Sequence, residues 1–431
     1  MCVPWPSAGS ETPLESGAGG GAPGLGATVQ VAGLVPGDVA KIRVEAVGRS
    51  GAFGALLALK QSSPHRVSAP CPVVDRCGGC PWQMVRYDEQ LREKHRALIE
   101  LFSGTPLASI ALEAVIPTPG EPPFGFREKV QMPVGGRAGD LLLGFWAPRS
   151  RDLIPVAHCL VQSPLLERVR ARVVPVLNRH RLVPEEELRT VLLRAGDNAA
   201  YVTLVTRHDR RDLTAVGAEL MTLPEVAAVY HNVNDTTGNR VLGPVTRHVA
   251  GPSPEEAPLF RTVGGTPHTL SATGFFQTNP HAAATLRGAV HASLGEGPIL
   301  ELYGGTGFLV RGLRGPVLLV EANPEAAAVA AASLPNARVR VEDAAALGWV
   351  SDAAGTIIAD PPRSGLGVVV ARALAQTGAH RLVYAACSPE ALARDSHTLA
   401  EEGWRPRRAV PVDMFPHTPH VEVVATFERG V

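Results

Sequence analysis

Six cysteines occur in the 431 residues, and their spacing sorts them by the chemistry available to each. Cys71, Cys77 and Cys80 stand within ten residues in "CPVVDRCGGCPWQ", Cys159 follows in "PVAHCLVQSP", and Cys2 lies at the start. In a cytoplasmic chain disulfides do not persist, so clustered cysteines point to metal binding or catalysis. Cys387 is different: it closes an apolar strand-like run in "LVYAACSPEALARD", and Pro389 then opens a helical pattern. A buried cysteine is ordinarily a small hydrophobe. A thiol at a strand end, facing the positive end of a helix, is instead expected to favour thiolate and act as a nucleophile.

The elements that must position Cys387 form a regular alternation from Ser271 onward. Apolar strand candidates "GPILELY", "PVLLVEA", "ARVRVED", "GTIIADPP", "HRLVYAAC" and "VVATFE" alternate with Ala- and Leu-rich helical segments. This pattern predicts an α/β domain with a doubly wound, Rossmann-like parallel sheet covered on both faces. Ligands bind such sheets at the carboxyl ends of the strands. The first strand runs into "ELYGGTGF", whose Gly304, Gly305 and Gly307 suit a close backbone approach to a ligand at a turn into a helix, although such a turn is weak evidence by itself. The second strand ends on Glu321, 17 residues after Gly304, at the spacing of an acid that bonds ribose hydroxyls. The third ends on Asp343, suited to an adenine amino group. The fourth ends on Asp360, followed by two prolines that stiffen the loop.

No Lys or Arg stands in the glycine turn, so a nucleoside ligand such as S-adenosylmethionine fits better than a dinucleotide. A reaction that needs both a sulfonium methyl donor and a cysteine is methylation of a pyrimidine at carbon 5. That carbon is a weak nucleophile until a thiolate adds at carbon 6. A base must afterwards remove the carbon 5 proton, and Glu422 in "DMFPHTPHVEVV" supplies a carboxylate.

Composition and charge bound the rest. A hydrophobic share of 45% and a charged share of 19% describe a globular protein. No apolar run long enough for a membrane span occurs, and the N-terminus lacks the basic start and apolar run of a secretory signal, so a cytoplasmic location is expected. The 41 basic and 41 acidic residues cancel, which gives no overall support for a nucleic-acid partner. Two stretches are mildly basic: residues 126–151, with Arg127, Lys129, Arg137, Arg149 and Arg151 against two acids, and residues 27–67, with five against two. Short β-like pieces, "ATVQVAGL", "AKIRVEAV" and "GAFGALLALK", predict a small β-barrel ending near Val67. "YDEQLREKHRALIELF" reads as an amphipathic helix, and residues 124–270 mix strand-like runs with the helical "PLLERVRARVVPVLNRH".

Taken in order, "GFFQTNP", "ELYGGTGF", "IADPPRSGL", "YAACSPEALARD" and "DMFPHTPHVE" strongly resemble the RNA uridine-5-methyltransferases. The resemblance implies Cys387 as nucleophile and Glu422 as base. It also implies donor contacts from Gln277, Tyr303, Glu321, Asp343 and Asp360. The family often has cysteine where Gly304 stands and asparagine where Ser388 stands. The pattern Cys71-x5-Cys77-x2-Cys80 with Cys159 resembles the iron-sulfur motif of family members acting on ribosomal RNA. Four thiolates suit zinc or a [4Fe-4S] cluster, and spacing alone favours zinc; the resemblance favours the cluster, in a structural or RNA-positioning role. The stretch "LESGAGGGAPGLGATVQVAGLVPGDVAKIRV" resembles the start of a TRAM domain, an OB-like RNA-binding barrel.

The expected layout is therefore three parts: a TRAM-like barrel at 12–68, a central α+β domain with the cluster at 69–270, and an S-adenosylmethionine-dependent methyltransferase domain at 271–431. The implied partner is RNA, ribosomal RNA foremost, with no membrane and a monomeric chain. The T-loop uridine of tRNA is the alternative substrate, and a catalytically idle RNA-binding assembly factor is the alternative from another class. Arg127 and Lys129 in "GFREKVQ" are expected RNA contacts.

Overall fold

The computed structural model describes residues 29–48, 51–120, 123–148, 150–209, 212–238, 240–352 and 354–430. The expected start of the N-terminal barrel at residue 12 and Cys2 lie outside the described residues. What is described there is a three-stranded sheet of β1 (Val29–Val31), β2 (Val39–Gly48) and β3 (Gly51–Gln61), ordered β1-β3-β2. The turn "LVPGD" ahead of β2 is fixed by buried Asp38, whose carboxylate accepts from the backbone amides of Val35 (2.7 Å) and Ser63 (2.8 Å) and pairs with Arg66.

Helix α1 (Tyr87–Phe102) and the short strand β4 (Ala111–Leu112) come next. A seven-stranded sheet then forms from β5 (Lys129–Arg137), β6 (Asp140–Trp146), β7 (Leu153–Pro155), β8 (Thr190–Ala195), β9 (Ala200–Thr206), β10 (Val226–Val233) and β11 (Val245–Ala250). Its order is β11-β10-β9-β8-β5-β6-β7. Helices α2 (Pro164–Arg179) and α3 (Thr214–Leu220) supply Leu166, Val173, Val216 and Leu220 to the core on one face. On the other face Tyr201 and Tyr230 join a core shared with the C-terminal part, reached through the hairpin β12 (Leu259–Val263) and β13 (Thr266–Leu270). All of β8 and β9 is consequently buried.

The C-terminal part contains α4 (Pro280–Ala292), β14 (Ile299–Leu302), β15 (Val317–Glu321), α5 (Pro324–Ser333), β16 (Ala337–Val341), β17 (Thr356–Ala359), α6 (Gly367–Ala373), β18 (Arg381–Ala386), α7 (Pro389–Glu401), β19 (Arg405–Val412) and β20 (Glu422–Glu428). Four helices begin by one local rule. Ser163, Asn279, Asn323 and Ser388 each accept from a backbone amide of the first turn, and each is followed by a proline whose missing N–H costs nothing there. Ser388 thus caps the helix that follows Cys387.

The sheet order is β16-β15-β14-β17-β18-β20-β19-β4. Seven strands run in one direction, as a parallel doubly wound sheet predicts, and β20 alone runs against them, antiparallel to β18 and to β19. The reason is the connection: residues 413–421 join β19 to β20 as a hairpin loop, and only a crossover could have kept β20 parallel. Helix α1 and β4 also belong here. Leu98, Phe102 and Leu107 enter the same core as Trp349, Leu382 and Phe427, and β4 pairs with β19 through Arg408–Ala111 and Ala409–Leu112. Among the described residues no helix is long and apolar enough to cross a membrane.

Candidate active site and cysteine cavity

Cys387 and Glu422 are brought together by strand register. The β18–β20 ladder pairs Ala386 with Val423, so Cys387, the next residue, stands opposite Glu422, and opposite residues of an antiparallel pair share a face. Asp360, just past the end of β17, neighbours both. Burial pushes its enclosed carboxyl up to about 7. Burial, then the charge of Asp360, pushes Glu422, 5% exposed, up to about 8. The Cys387 thiol is pushed up to about 11, by burial first and then by Glu422 and Asp360; the exposed Arg363 opposes this only partly. The helix starting at Pro389, expected to favour a thiolate, is thus opposed by burial and by these carboxyls. Desolvation and two neighbouring carboxyls both disfavour the charged sulfur.

The glycine turn differs in part from its expected form. Tyr303, Gly305 and Gly307 all have left-handed φ, of 59°, 55° and 77°. A Cβ on Gly304 would come within 2.4 Å of the Leu319 side chain, and one on Gly307 within 2.3 Å of the Leu334 side chain, so a larger residue at either needs the leucine to shift. Gly305 alone of the three faces open space. Residues 305–312 form turns, where a helix was expected, so no helix terminus is aimed at a phosphate.

Glu321 closes β15 and holds this turn: its carboxylate accepts from the amides of Gly305 (2.8 Å) and Asn323 (2.6 Å). Asp343 accepts from the amide of Ala345 (2.8 Å), capping a short 3-10 turn, and its charge, after burial, raises the Tyr303 hydroxyl to about 12. Gln277 is 7% exposed, on the loop between β13 and α4. That loop is clamped by Lys129, which donates to the carbonyls of Thr273 (3.0 Å) and Gly274 (3.1 Å), and by buried Arg194, which also donates to Gly274. Burial and Arg194 bring the Lys129 ammonium down to about 7. Lys129 is therefore an internal strut, which corrects its expected place among the RNA contacts.

Two carboxylates escaped the sequence reading. Glu301 lies inside β14, 1% exposed, with Oε2 lacking a hydrogen-bond partner; burial, Asp360 and Glu321 raise its carboxyl well above the usual range. An acid interrupting the apolar run "ILEL" was the available signal. Asp395 accepts from the Leu366 amide (2.7 Å) and the Tyr384 hydroxyl (2.8 Å), fixing the loop that follows Asp360. Glu301, Glu321, Asp360 and Glu422 thus form an acidic lining with an orphaned oxygen, which suits a ligand carrying positive charge. The glycine turn beside it suits a nucleoside, so these residues fit S-adenosylmethionine.

A second feature is a cavity of ≈ 150 Å³ lined by Cys71, Cys77, Cys80 and Cys159, none of them in a disulfide. Burial raises the Cys77 and Cys159 thiols and takes Cys80 to about 12, with Cys159 and Cys77 adding to the last through their charge. Among the described residues no group of His, Cys, Asp or Glu is arranged to hold a metal ion as it stands. The donor set itself, four thiols around one hollow, has the chemistry of a zinc or an iron-sulfur ligand set.

Comparison with known proteins places the chain. The family model described as tRNA (Uracil-5-)-methyltransferase matches residues 339–429. A Halalkalibacterium halodurans protein named as an uncharacterized RNA methyltransferase is 33% identical over 422 residues, covering 91% of this chain and 90% of that protein. One from Gloeobacter violaceus, named likewise, is 31% identical over 429 residues, covering 94% and 92%. The crystal structure of Pyrococcus abyssi tRNA (uracil-54, C5)-methyltransferase in complex with S-adenosyl-L-homocysteine superimposes with a TM-score of 0.75 at 25% identity, covering 93% of this chain and 94% of that one. The fold is that of an α/β methyltransferase, and the chain belongs to the RNA uracil-5-methyltransferase family as an S-adenosylmethionine-dependent RNA methyltransferase.

Proposed function

We propose that this enzyme methylates carbon 5 of a specific uridine in 23S ribosomal RNA through a covalent cysteine–uracil intermediate. The observation that carries the chemistry is the cross-strand placement of Cys387 opposite Glu422, beside Asp360. Cys387 gives up its thiol proton to solvent as its sulfur bonds to carbon 6, and the electron pair of the carbon 5–carbon 6 double bond moves to carbon 5. When bound, S-adenosylmethionine would bring a positive charge among the carboxylates and an electrophilic methyl group, which carbon 5 takes as the sulfonium carbon–sulfur bond breaks and S-adenosylhomocysteine leaves. Glu422 then takes the carbon 5 proton, the carbon 5–carbon 6 double bond re-forms, and the bond to Cys387 breaks. Burial, then Glu422 and Asp360, raise the Cys387 thiol, so loss of its proton accompanies formation of the bond to carbon 6. Tyr303, Glu321, Asp343, Asp360 and Gln277 hold the donor in this reading.

The ribosomal substrate rests on the four-cysteine cavity, read as a [4Fe-4S] site of Cys71, Cys77, Cys80 and Cys159, and on the N-terminal strands, read as part of a TRAM domain that binds RNA. The chain acts as a cytoplasmic monomer in this reading. A second substrate, the T-loop uridine of tRNA, is favoured by the similarity to the Pyrococcus abyssi tRNA (uracil-54, C5)-methyltransferase. Measuring 5-methyluridine in separated ribosomal and transfer RNA from a deletion strain decides between them: loss confined to 23S RNA supports the first, and loss confined to tRNA supports the second. Absence of methyl transfer from labelled S-adenosylmethionine to total RNA would leave only an idle binding factor.

A further inference from the structure

The cysteine cavity and the catalytic carboxylate meet on one short piece of chain. Residues 413–421 connect β19 to β20, and the register pairs Val412 with Glu422, so Glu422 is the first residue after the loop closes. The far side of this loop, at Phe415, Pro416 and Thr418, lines the cysteine cavity. His417, between them, turns the other way: it is 2% exposed, with a left-handed φ of 64° that a residue bearing a Cβ adopts only when held.

Every polar atom of His417 is held by a segment outside the loop. Its amide donates to Gln90 Oε1 (2.8 Å), and its carbonyl accepts from the amide of Trp82 (3.0 Å), two residues past Cys80. Its ring places Nε2 3.0 Å from the carbonyl of Pro123 and Nδ1 3.3 Å from Gln90 Nε2, and stacks on Phe124 at 4.5 Å. Nε2–H therefore donates to Pro123 and Nδ1 accepts from Gln90, a neutral ring that burial keeps neutral by lowering its pKa to about 4. Gln90 Nε2 also donates to the Trp82 carbonyl (3.0 Å), tying the cysteine segment and the loop to one amide.

We propose that His417 is a positioning residue that couples the cysteine cavity to Glu422: the cysteine segment fixes the loop through His417, and the loop fixes where the proton-accepting carboxylate stands. The coupling rests on the catalytic reading of Glu422 given above. It assigns to the cavity an effect on the last chemical step, proton removal and release of the enzyme from its product, in addition to any hold on RNA.

The test uses the full-length protein. His417→Ala and His417→Asn are compared with Glu422→Gln, and Asn is included because it tolerates a left-handed backbone and so preserves folding. Donor affinity by calorimetry should stay at the wild-type value in both. Single-turnover release of methylated RNA should slow about tenfold to a hundredfold, the scale of a misplaced catalytic group, while the KM for RNA stays within about twofold. A methylated protein–RNA adduct resistant to denaturation should build up, most in His417→Ala. Release at the wild-type rate, or a loss explained wholly by RNA or donor affinity, overturns the proposal. If Glu422→Gln itself gives no adduct, the catalytic reading fails instead. Amide hydrogen exchange then still reads the mechanical link: exchange at Glu422 should quicken in His417→Ala and in Cys80→Ser, and an unchanged Glu422 amide in both overturns the coupling.

Discussion

Cys387 and Glu422 face each other across two antiparallel strands, one residue beyond the last pair of the β18–β20 ladder. The nucleophile and base of the proposed reaction are thus fixed by backbone hydrogen bonds. Their separate roles are readable from what accumulates when each is removed. Cys387→Ala should neither methylate RNA nor attach to it. Glu422→Gln keeps nucleophile and donor site, so addition and methyl transfer proceed and elimination stalls. Denaturing electrophoresis should show a methylated adduct in Glu422→Gln, and wild type should give one with RNA carrying 5-fluorouridine. Normal turnover by Glu422→Gln, or an adduct in Cys387→Ala, would refute the assignment.

The burial of Glu422 carries a stability signature. Its folded pKa, about 8, lies above its ordinary 4.5, so the protonated form is the one the folded state favours. The associated stability is full below the ordinary value and is lost as pH rises through the folded one. Glu422→Gln should therefore match wild type in acid and exceed it by up to about 5 kcal/mol at pH above the folded value. Urea unfolding of the unliganded proteins across pH checks this, and parallel curves for the two at every pH would contradict it.

Donor binding should depend on Glu321. Its carboxylate shapes the turn through Gly305 as well as facing the proposed ribose site. Glu321→Gln should weaken S-adenosylmethionine binding by about 1–3 kcal/mol and leave RNA affinity nearly unchanged. Calorimetry with an unaltered donor constant would remove Glu321 from the donor site.

Anaerobically purified protein should be brown, with broad visible absorbance, and contain iron and sulfide bound through Cys71, Cys77, Cys80 and Cys159. Metal analysis returning stoichiometric zinc without iron would reject the cluster. Changing Cys2 should leave the iron content as it was.

Lys94 and Asp413 form a fully buried pair at 2.5 Å, shared with the Tyr87 hydroxyl. Removing one member leaves an uncompensated buried charge, so Lys94→Met should destabilise the protein by about 3–5 kcal/mol. Adding Asp413→Leu should restore part of the loss in urea unfolding. A single variant as stable as wild type would show that the pair carries no net stabilisation.

The places of Glu321, Asp360 and Cys387 at or just past strand ends were legible in the sequence. The apolar runs around Leu302, Val320, Ala359 and Ala386 mark buried parallel strands, and the residues closing them converge of necessity. What escaped notice depends on partners remote in sequence. Strand β19 carries Pro406 and Pro411, which disguise a strand, and its hairpin reverses β20. The Lys129 side chain looks like a surface cation until the carbonyls of Thr273 and Gly274, more than a hundred residues on, are seen to receive it. The Cys387 thiol is likewise raised by its burial and then by Glu422 and Asp360, which no local pattern around the cysteine announces.

The placement of α1 and β4 in the C-terminal sheet has a consequence for how the chain must be made. Leu98, Phe102 and Leu107 leave the ribosome roughly three hundred residues before Phe427, with which they share a core, and β4 waits equally long for Arg408 and Ala409. Closing so long a span is slow and leaves apolar surface open meanwhile. The catalytic half is thus not a separable cassette: a fragment beginning at residue 271 would lack one edge of its own sheet and one wall of its own core, and should be recovered from cells as aggregate unless residues 87–118 are supplied alongside it.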